Sequence, residues 1–190
     1  LTEVFMSIAR GTAGKSKKAG VLNVGVDILP KLPKDATDRN RTSPFAFTGN
    51  RFEFRAPGSS QSIAGPIVIL NTIMAESLDY IACELEKQAN GERAQFNTAV
   101  QKLLRKIIRE HGRVIFNGDN YSTEWADEAR RRGLPSAENT PEALNQMECE
   151  ETFRIMEKHG VLSRREMESR LEIYREKYCK DMAIEASLCL

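Results

Sequence analysis

Three charged residues alternate with two phenylalanines in the segment Arg51-Phe52-Glu53-Phe54-Arg55. Successive side chains of a β-strand point to opposite faces, so the charged residues are expected to project together while both phenylalanines enter the core. Guanidinium groups hold phosphate oxygens in bidentate fashion, and a carboxylate binds the magnesium ion that bridges those oxygens. These residue types are the ones that a site for phosphoryl transfer from a nucleotide requires.

The same alternation also occurs in a structural setting, as a row of cross-strand ion pairs on a wetted face that contributes little to stability. Alternation alone favours this structural interpretation. Arg41, in the triplet Arg39-Asn40-Arg41, shifts the balance because it can add a further guanidinium to the same face from the neighbouring strand. A structural row would more often balance its charges, so the cluster is a candidate phosphate and metal site.

A short antiparallel sheet is expected to position these residues. Val21–Leu29 is dense in β-branched residues and is followed by prolines, which is typical of a strand and its end. Two further strand patterns cover residues 41–48 and 51–56. Gly49-Asn50 between them suits a tight hairpin turn.

From residue 63 onward, the apolar spacing changes from two residues to 3.6, which indicates helices. The sequence thus predicts an α+β fold, a short antiparallel sheet followed by a mostly α-helical C-terminal region. The predicted helices cover Leu1–Arg10 without an N-cap, Ile63–Ile81, Phe96–Ile115, Ser122–Arg132, a segment starting at Thr140-Pro141, and a last helix starting at the capping box Ser163/Glu166. The last helix is expected to have an apolar face comprising Met167, Leu171, Tyr174, Tyr178 and Met182.

Composition restricts the class of protein. The 190 residues carry a formal net charge of +1, so no overall field recruits nucleic acid or an anionic membrane. The four cysteines have no CxxC spacing, which argues against zinc, and His111 and His159 are expected to be ordinary helix residues. No secretory signal opens the sequence and polar residues interrupt its longest apolar run, so we expect a cytoplasmic protein. Without an initiating methionine, the chain is expected to be a fragment.

A second candidate, the stretch Ala9–Ser16 (ARGTAGKS), matches a relaxed phosphate-loop pattern. A phosphate loop follows a buried strand and opens a helix. Here a predicted helix precedes the stretch and a predicted strand follows it, so we interpret the stretch as a solvated loop.

The segment RNRTSPFAFTGNRFEFRAPGSSQSIAGP, followed by a long apolar helix, resembles the arginine-rich segment of type III glutamine synthetases. The later segment IFNGDNYSTEWADEARRRGLP resembles the C-terminal helical region of the same family, so the resemblance covers nearly the whole chain. It implies a catalytic-domain part at residues 1–90 and a helical C-terminal region at residues 91–190.

The resemblance also implies roles for four residues. Arg41 would contact the transferring γ-phosphate, Arg51 the nucleotide phosphates, and Glu53 a catalytic divalent metal. Arg55 would help hold the glutamate substrate and its phosphorylated intermediate. ATP and Mg²⁺ or Mn²⁺ are the implied cofactors, glutamate and ammonia the implied substrates, and a ring-shaped homo-oligomer the implied assembly.

Two features of the sequence depart from the family pattern. Ala46 stands where the family has a further arginine, so that nucleotide contact is missing or supplied elsewhere. Ala56-Pro57-Gly58 replaces the frequent Phe-Pro-Asp.

The remaining metal ligands of the family lie upstream of this segment, so the isolated chain is expected to be inactive. The alternative is a non-catalytic helical interaction module with a structural charged strand.

Overall fold

A computed structural model of the protein describes residues 1–12, 21–22, 32–33, 42–48, 51–55, 61–89 and 93–189. Over these ranges the chain forms seven α-helices, one 3-10 turn and two two-stranded antiparallel sheets, which confirms the predicted α+β class. In chain order the elements are α1 (Thr2–Arg10), β1 (Val21–Leu22), β2 (Leu32–Pro33), β3 (Phe45–Phe47), β4 (Phe52–Phe54), α2 (Ala64–Ala89), α3 (Arg93–His111), the 3-10 turn (Gly112–Val114), α4 (Thr123–Arg131), α5 (Thr140–Gln146), α6 (Glu150–Lys158) and α7 (Arg164–Leu188).

Two compact units divide the chain. The first comprises Leu1–Gln61 and Gln88–Leu134, and the second comprises Ser62–Lys87 and Pro135–Leu190. This division reflects the contacts within this chain. The predicted boundary near residue 90, between a catalytic part and a helical region, refers to the domains of the complete enzyme and stays a prediction.

In the first unit, α1 packs against α3. The Arg109 guanidinium donates a hydrogen bond to the carbonyl of Ala9 at 3.0 Å. Gly11 ends α1 with a φ of 71°, and a Cβ there would lie 2.7 Å from the Arg105 guanidinium, so glycine suits both the backbone and the close approach. The start of the Ala9–Ser16 stretch thus closes a helix, as predicted, and residues 13–16 lie outside the described residues.

The strands that the structure describes are short. In the segment predicted as Val21–Leu29 the structure describes only Val21–Leu22, which pair with Leu32–Pro33. The other two predicted strands are observed as Phe45–Phe47 and Phe52–Phe54, which pair with each other. The predicted turn at Gly49-Asn50 lies outside the described residues.

The four phenylalanines of the β3–β4 hairpin share one face, and that face is exposed. The exposed fraction is 54% for Phe52 and 47% for Phe54, so the prediction that these two side chains enter a core is wrong for this chain. A two-stranded sheet is a single layer, and its apolar face is buried only when a second layer covers it. Here the rings stack on one another instead, with the Phe45 and Phe52 centroids 5.3 Å apart.

The second unit has a small core between its helices. Its members are Phe153, Met156 and Met167, with Ile69, Val161 and Leu162 packed around them. The predicted capping box starts α7: the Ser163 hydroxyl accepts from the Glu166 N–H while the Glu166 carboxylate accepts from the Ser163 N–H. Asn139, one residue before the predicted start, caps α5.

The two longest helices leave apolar residues exposed. In α7, Met167 and Leu171 are buried, whereas Tyr174 and Met182 of the same predicted face are exposed. In α2, the apolar residues Ile67, Met74 and Leu78 are exposed. By length and composition alone α2 could cross a membrane, a test that core helices of soluble proteins also pass.

Candidate functional site

Backbone hydrogen bonds extend the β3–β4 ladder and hold both arginines of the charged row. The N–H of Thr48 donates to the carbonyl of Arg51 at 2.8 Å, and the N–H of Arg55 donates to the carbonyl of Pro44 at 2.7 Å. Glu53, at the centre of β4, pairs with Ala46. The hairpin thus fixes the backbone at both ends of the row.

The charged side chains lie together on one side of β4, as the alternation predicted. Arg51 Nε donates to Glu53 Oε1 at 3.3 Å, and Arg55 Nη2 donates to Glu53 Oε2 at 3.2 Å. The side-chain exposed fractions are 72% for Arg51, 36% for Glu53 and 20% for Arg55. The Arg51 side chain is therefore exposed to solvent, whereas the Arg55 side chain is largely buried.

The two arginines favour the ionised carboxylate. The hydrogen bond from Arg55 is the largest cause that lowers the pKa of Glu53 below its usual value, and the nearby charges of both arginines lower it further. Partial desolvation opposes the shift. Glu53 is thus an anion at neutral pH, which is the protonation state that a metal ligand requires.

Ala46 lies opposite Glu53 in the hairpin and brings no charge to the row. Residues directly opposite in an antiparallel pair project to the same face, so position 46 is on the Glu53 side, and Ala46 is buried there at 5% exposure. An arginine at this position would lie directly beside the Glu53 carboxylate. Because alanine stands there, the positive charges next to Glu53 among the described residues come from Arg51 and Arg55.

Arg41, the fourth predicted member, lies outside the described residues. The described part of the chain holds no group of three or more histidine, cysteine, aspartate or glutamate side chains that could bind a metal ion. A hard cation such as Mg²⁺ needs several oxygen ligands. Glu53 can therefore supply one carboxylate ligand, and the donors present suit an anion better than a complete metal site.

The two histidines and the tryptophan each lie in a helix or at a helix end. His159 Nε2 lies 2.7 Å from Glu76 Oε2 within the second unit, and the His159 side chain is 18% exposed. His111 is exposed at the end of α3. The Trp125 ring packs against Phe116 with centroids 4.5 Å apart.

Comparison with known proteins shows which sequences this chain is similar to. The sequence profile of the family described as glutamine synthetase C-terminal domain matches residues 99–190. The chain is 44% identical over 187 residues to a type-3 glutamine synthetase of Dictyostelium discoideum, covering 98% of this chain and 25% of that protein. It is 36% identical to a glutamine synthetase of Bacteroides fragilis, again covering 98% of this chain and 25% of that protein.

A glutamine synthetase of Butyrivibrio fibrisolvens is also 36% identical, over 98% of this chain and 26% of its own length. The chain therefore spans about a quarter of the length of the curated relatives it matches. The charged β4 strand lies within the matched region of all three. On these similarities, the chain belongs to the type III glutamine synthetase family and corresponds to its C-terminal part.

Proposed function

We propose that this chain contributes the charged face of a glutamine synthetase active site to a complete enzyme. That enzyme would join ammonia to glutamate at the expense of ATP, in a ring-shaped cytoplasmic homo-oligomer. The observation that carries the proposal is the row Arg51–Glu53–Arg55 on one side of β4, with both carboxylate oxygens facing guanidinium groups. The family membership of the chain gives that row its chemical context.

The proposed reaction has two steps. A side-chain carboxylate oxygen of glutamate attacks the γ-phosphorus of ATP, and the bond to the bridging oxygen breaks to release ADP. Ammonia then attacks the acyl carbon of the γ-glutamyl phosphate, the phosphate leaves with the electron pair of the C–O bond, and a proton is lost from nitrogen. Both steps move negative charge onto phosphate oxygens, which fixed cationic groups stabilise.

Each charged residue has a proposed part in these steps. Arg41 and Arg51 would hold the nucleotide phosphates, and Arg55 would hold glutamate and its acyl phosphate. Glu53 would be one ligand of Mg²⁺ or Mn²⁺, which when bound neutralises phosphate charge. The other ligands would come from the part of the enzyme that lies outside this chain.

The rival proposal is a non-catalytic interaction module in which the row is a structural ion-pair ladder. The internal pairing of Arg51, Glu53 and Arg55 and the exposed phenylalanine face suit this alternative too. The active-site proposal and the rival proposal predict different glutamate kinetics for variants of the complete enzyme. Under our proposal, Arg55→Lys raises the glutamate KM at least tenfold because a bidentate carboxylate contact is lost.

Arg154→Lys is the matched control, since Arg154 is an exposed arginine of α6 that pairs with Glu151 at 3.0 Å. We expect this variant to retain the parent KM for glutamate. A complete enzyme without ATP-dependent glutamine formation, or an Arg55→Lys enzyme with the parent KM, would favour the ion-pair ladder.

A further inference from the structure

The segment Asn117–Ser122, called here the α4 loop because it precedes α4, reaches the start of the hairpin that carries the charged row. The N–H of Asn120 donates to the carbonyl of Thr42 at 2.8 Å. Thr42 lies two residues before Pro44, whose carbonyl accepts the N–H of Arg55 at 2.7 Å. All of these residues belong to the first unit. A short stretch of hydrogen-bonded backbone therefore connects the loop with Arg55.

Local hydrogen bonds fix the C-terminal half of the α4 loop. The Asp119 carboxylate accepts the N–H of Tyr121 at 2.9 Å, and the Asp119 carbonyl accepts the Ser122 hydroxyl at 2.6 Å. Ser122 in turn caps α4 by accepting the N–H of Trp125 at 3.3 Å. The direction of the Asn120 N–H is thus set by a turn that is continuous with a helix.

The chain leading into the loop is held as well. Arg132 Nη1 donates to the carbonyl of Ile115 at 2.8 Å and to that of Arg113 at 3.0 Å. A Cβ at Gly118 would lie 2.7 Å from the Phe116 ring, which itself packs on Trp125. The residues that lead into the loop are therefore held by hydrogen bonds and by ring packing.

We infer that the α4 loop is a positioning element for the candidate site, in which the Asn120 N–H fixes the backbone that carries Arg55. The inference rests on the proposed role of Arg55 in holding glutamate. It assigns to the helical C-terminal region an effect on substrate binding through a backbone contact. Asn120 is a positioning residue, since it acts through Thr42 and Pro44.

Asn120→Pro tests the contact because proline has no N–H to donate. Asn120→Ala is the conservative variant, since it keeps the N–H, and no hydrogen bond of the Asn120 side chain occurs among the described residues. In the complete enzyme we expect Asn120→Pro to speed amide hydrogen exchange in the peptide covering residues 42–55. The glutamate KM is expected to rise about tenfold, since a shift of the backbone that carries Arg55 weakens its proposed contact with glutamate, and small misplacements are costly.

The ATP KM is expected to change less than twofold, a split that general loss of folded enzyme would not produce. Asn120→Ala should match the parent in exchange and in both KM values. Should Asn120→Pro fail to fold, Asp119→Ala removes the acceptor that shapes the turn, with Asp119→Asn as its control, and the same pattern is expected.

Unchanged exchange in residues 42–55 would overturn the inference, and so would faster exchange with the parent glutamate KM. A failure of the proposed function has a different signature. In that case Arg55→Lys itself leaves the glutamate KM unchanged, whatever the exchange of the 42–55 peptide in the Asn120 variants.

Discussion

Arg55 Nη2 lies 3.2 Å from Glu53 Oε2, and this contact joins the least exposed cation of the charged row to its only carboxylate. Arg51 meets the other carboxylate oxygen at 3.3 Å. A divalent cation bound by Glu53 must therefore share the carboxylate with two guanidinium groups. Oxygen ligands from elsewhere in the complete enzyme are needed to make such binding tight.

The first prediction is that this 190-residue chain alone makes no glutamine. Arg51 and Arg55 can attract phosphate or sulfate weakly, but one carboxylate cannot hold the metal that stabilises charge as phosphate leaves ATP. Calorimetry with ATP and Mg²⁺, together with an assay for phosphate release in the presence of glutamate and ammonia, checks this. Micromolar metal-dependent ATP binding or measurable turnover would show that the site is misplaced.

The second prediction concerns the exposed phenylalanine face of the hairpin. In the isolated chain, Phe52→Ser should reduce binding of a hydrophobic dye, because an exposed aromatic ring is removed. In the complete enzyme the same change should lower the thermal midpoint, because we expect a second layer of the complete enzyme to cover this face. Equal dye binding in the two forms of the isolated chain, or an unchanged midpoint in the complete enzyme, would show that the face has another role.

The exposed phenylalanines also show where sequence patterns stop being informative. Alternation correctly placed Arg51, Glu53 and Arg55 on one side of β4, because the two-residue period of a strand is a local property. Burial of Phe52 and Phe54 depends on a second layer, which no local pattern supplies. The burial of Phe52 and Phe54 therefore does not support the candidate site in this chain. The site is supported by the position of the three charged side chains on one side of β4 and by the family membership of the chain.

Helix positions were predictable for a similar reason. Caps such as Ser122 and Ser163 act within one turn of helix, so the starts of α4 and α7 were placed correctly. The burial of α7 was predictable only for its first half, since Tyr174 and Met182 continue the apolar spacing but are 41% and 47% exposed. The contact between Asn120 and Thr42 has no sequence signal, because it joins backbone groups 78 residues apart.

The third prediction tests the packing of α7. Leu171 is 1% exposed, so Leu171→Ala should lower the free energy of unfolding by about 2–5 kcal/mol through lost burial and the cavity left behind. Leu188→Ala is the matched control on the same helix, because Leu188 is 81% exposed, and it should change stability by less than about 0.5 kcal/mol. Denaturant unfolding of both variants provides the comparison, and equal effects would contradict the observed packing.

The fourth prediction is a pH dependence that originates at Glu128. Hydrogen bonds from Arg131 and then from Arg132 are the largest causes that lower the pKa of Glu128 from 4.5 to about 2. Because the folded-state pKa is the lower one, the stabilisation is fully present above pH 4.5 and is lost as the pH falls toward 2. The difference in thermal midpoint between the parent and Glu128→Gln should therefore be constant near neutral pH and shrink on acidification. A difference that grows in acid would contradict this assignment.

The most direct test of the charged row as a catalytic site is the metal requirement of the Glu53→Gln variant in the complete enzyme. Glutamine keeps the size of the side chain but removes the charge that would hold a divalent cation, so glutamine formation should fall by orders of magnitude. The Mg²⁺ concentration for half-maximal activity should rise. Glu176→Gln, at an exposed ion pair of α7, should behave like the parent. Near-normal turnover of Glu53→Gln at the parent Mg²⁺ requirement would contradict the account and leave Glu53 as part of a structural ion-pair row.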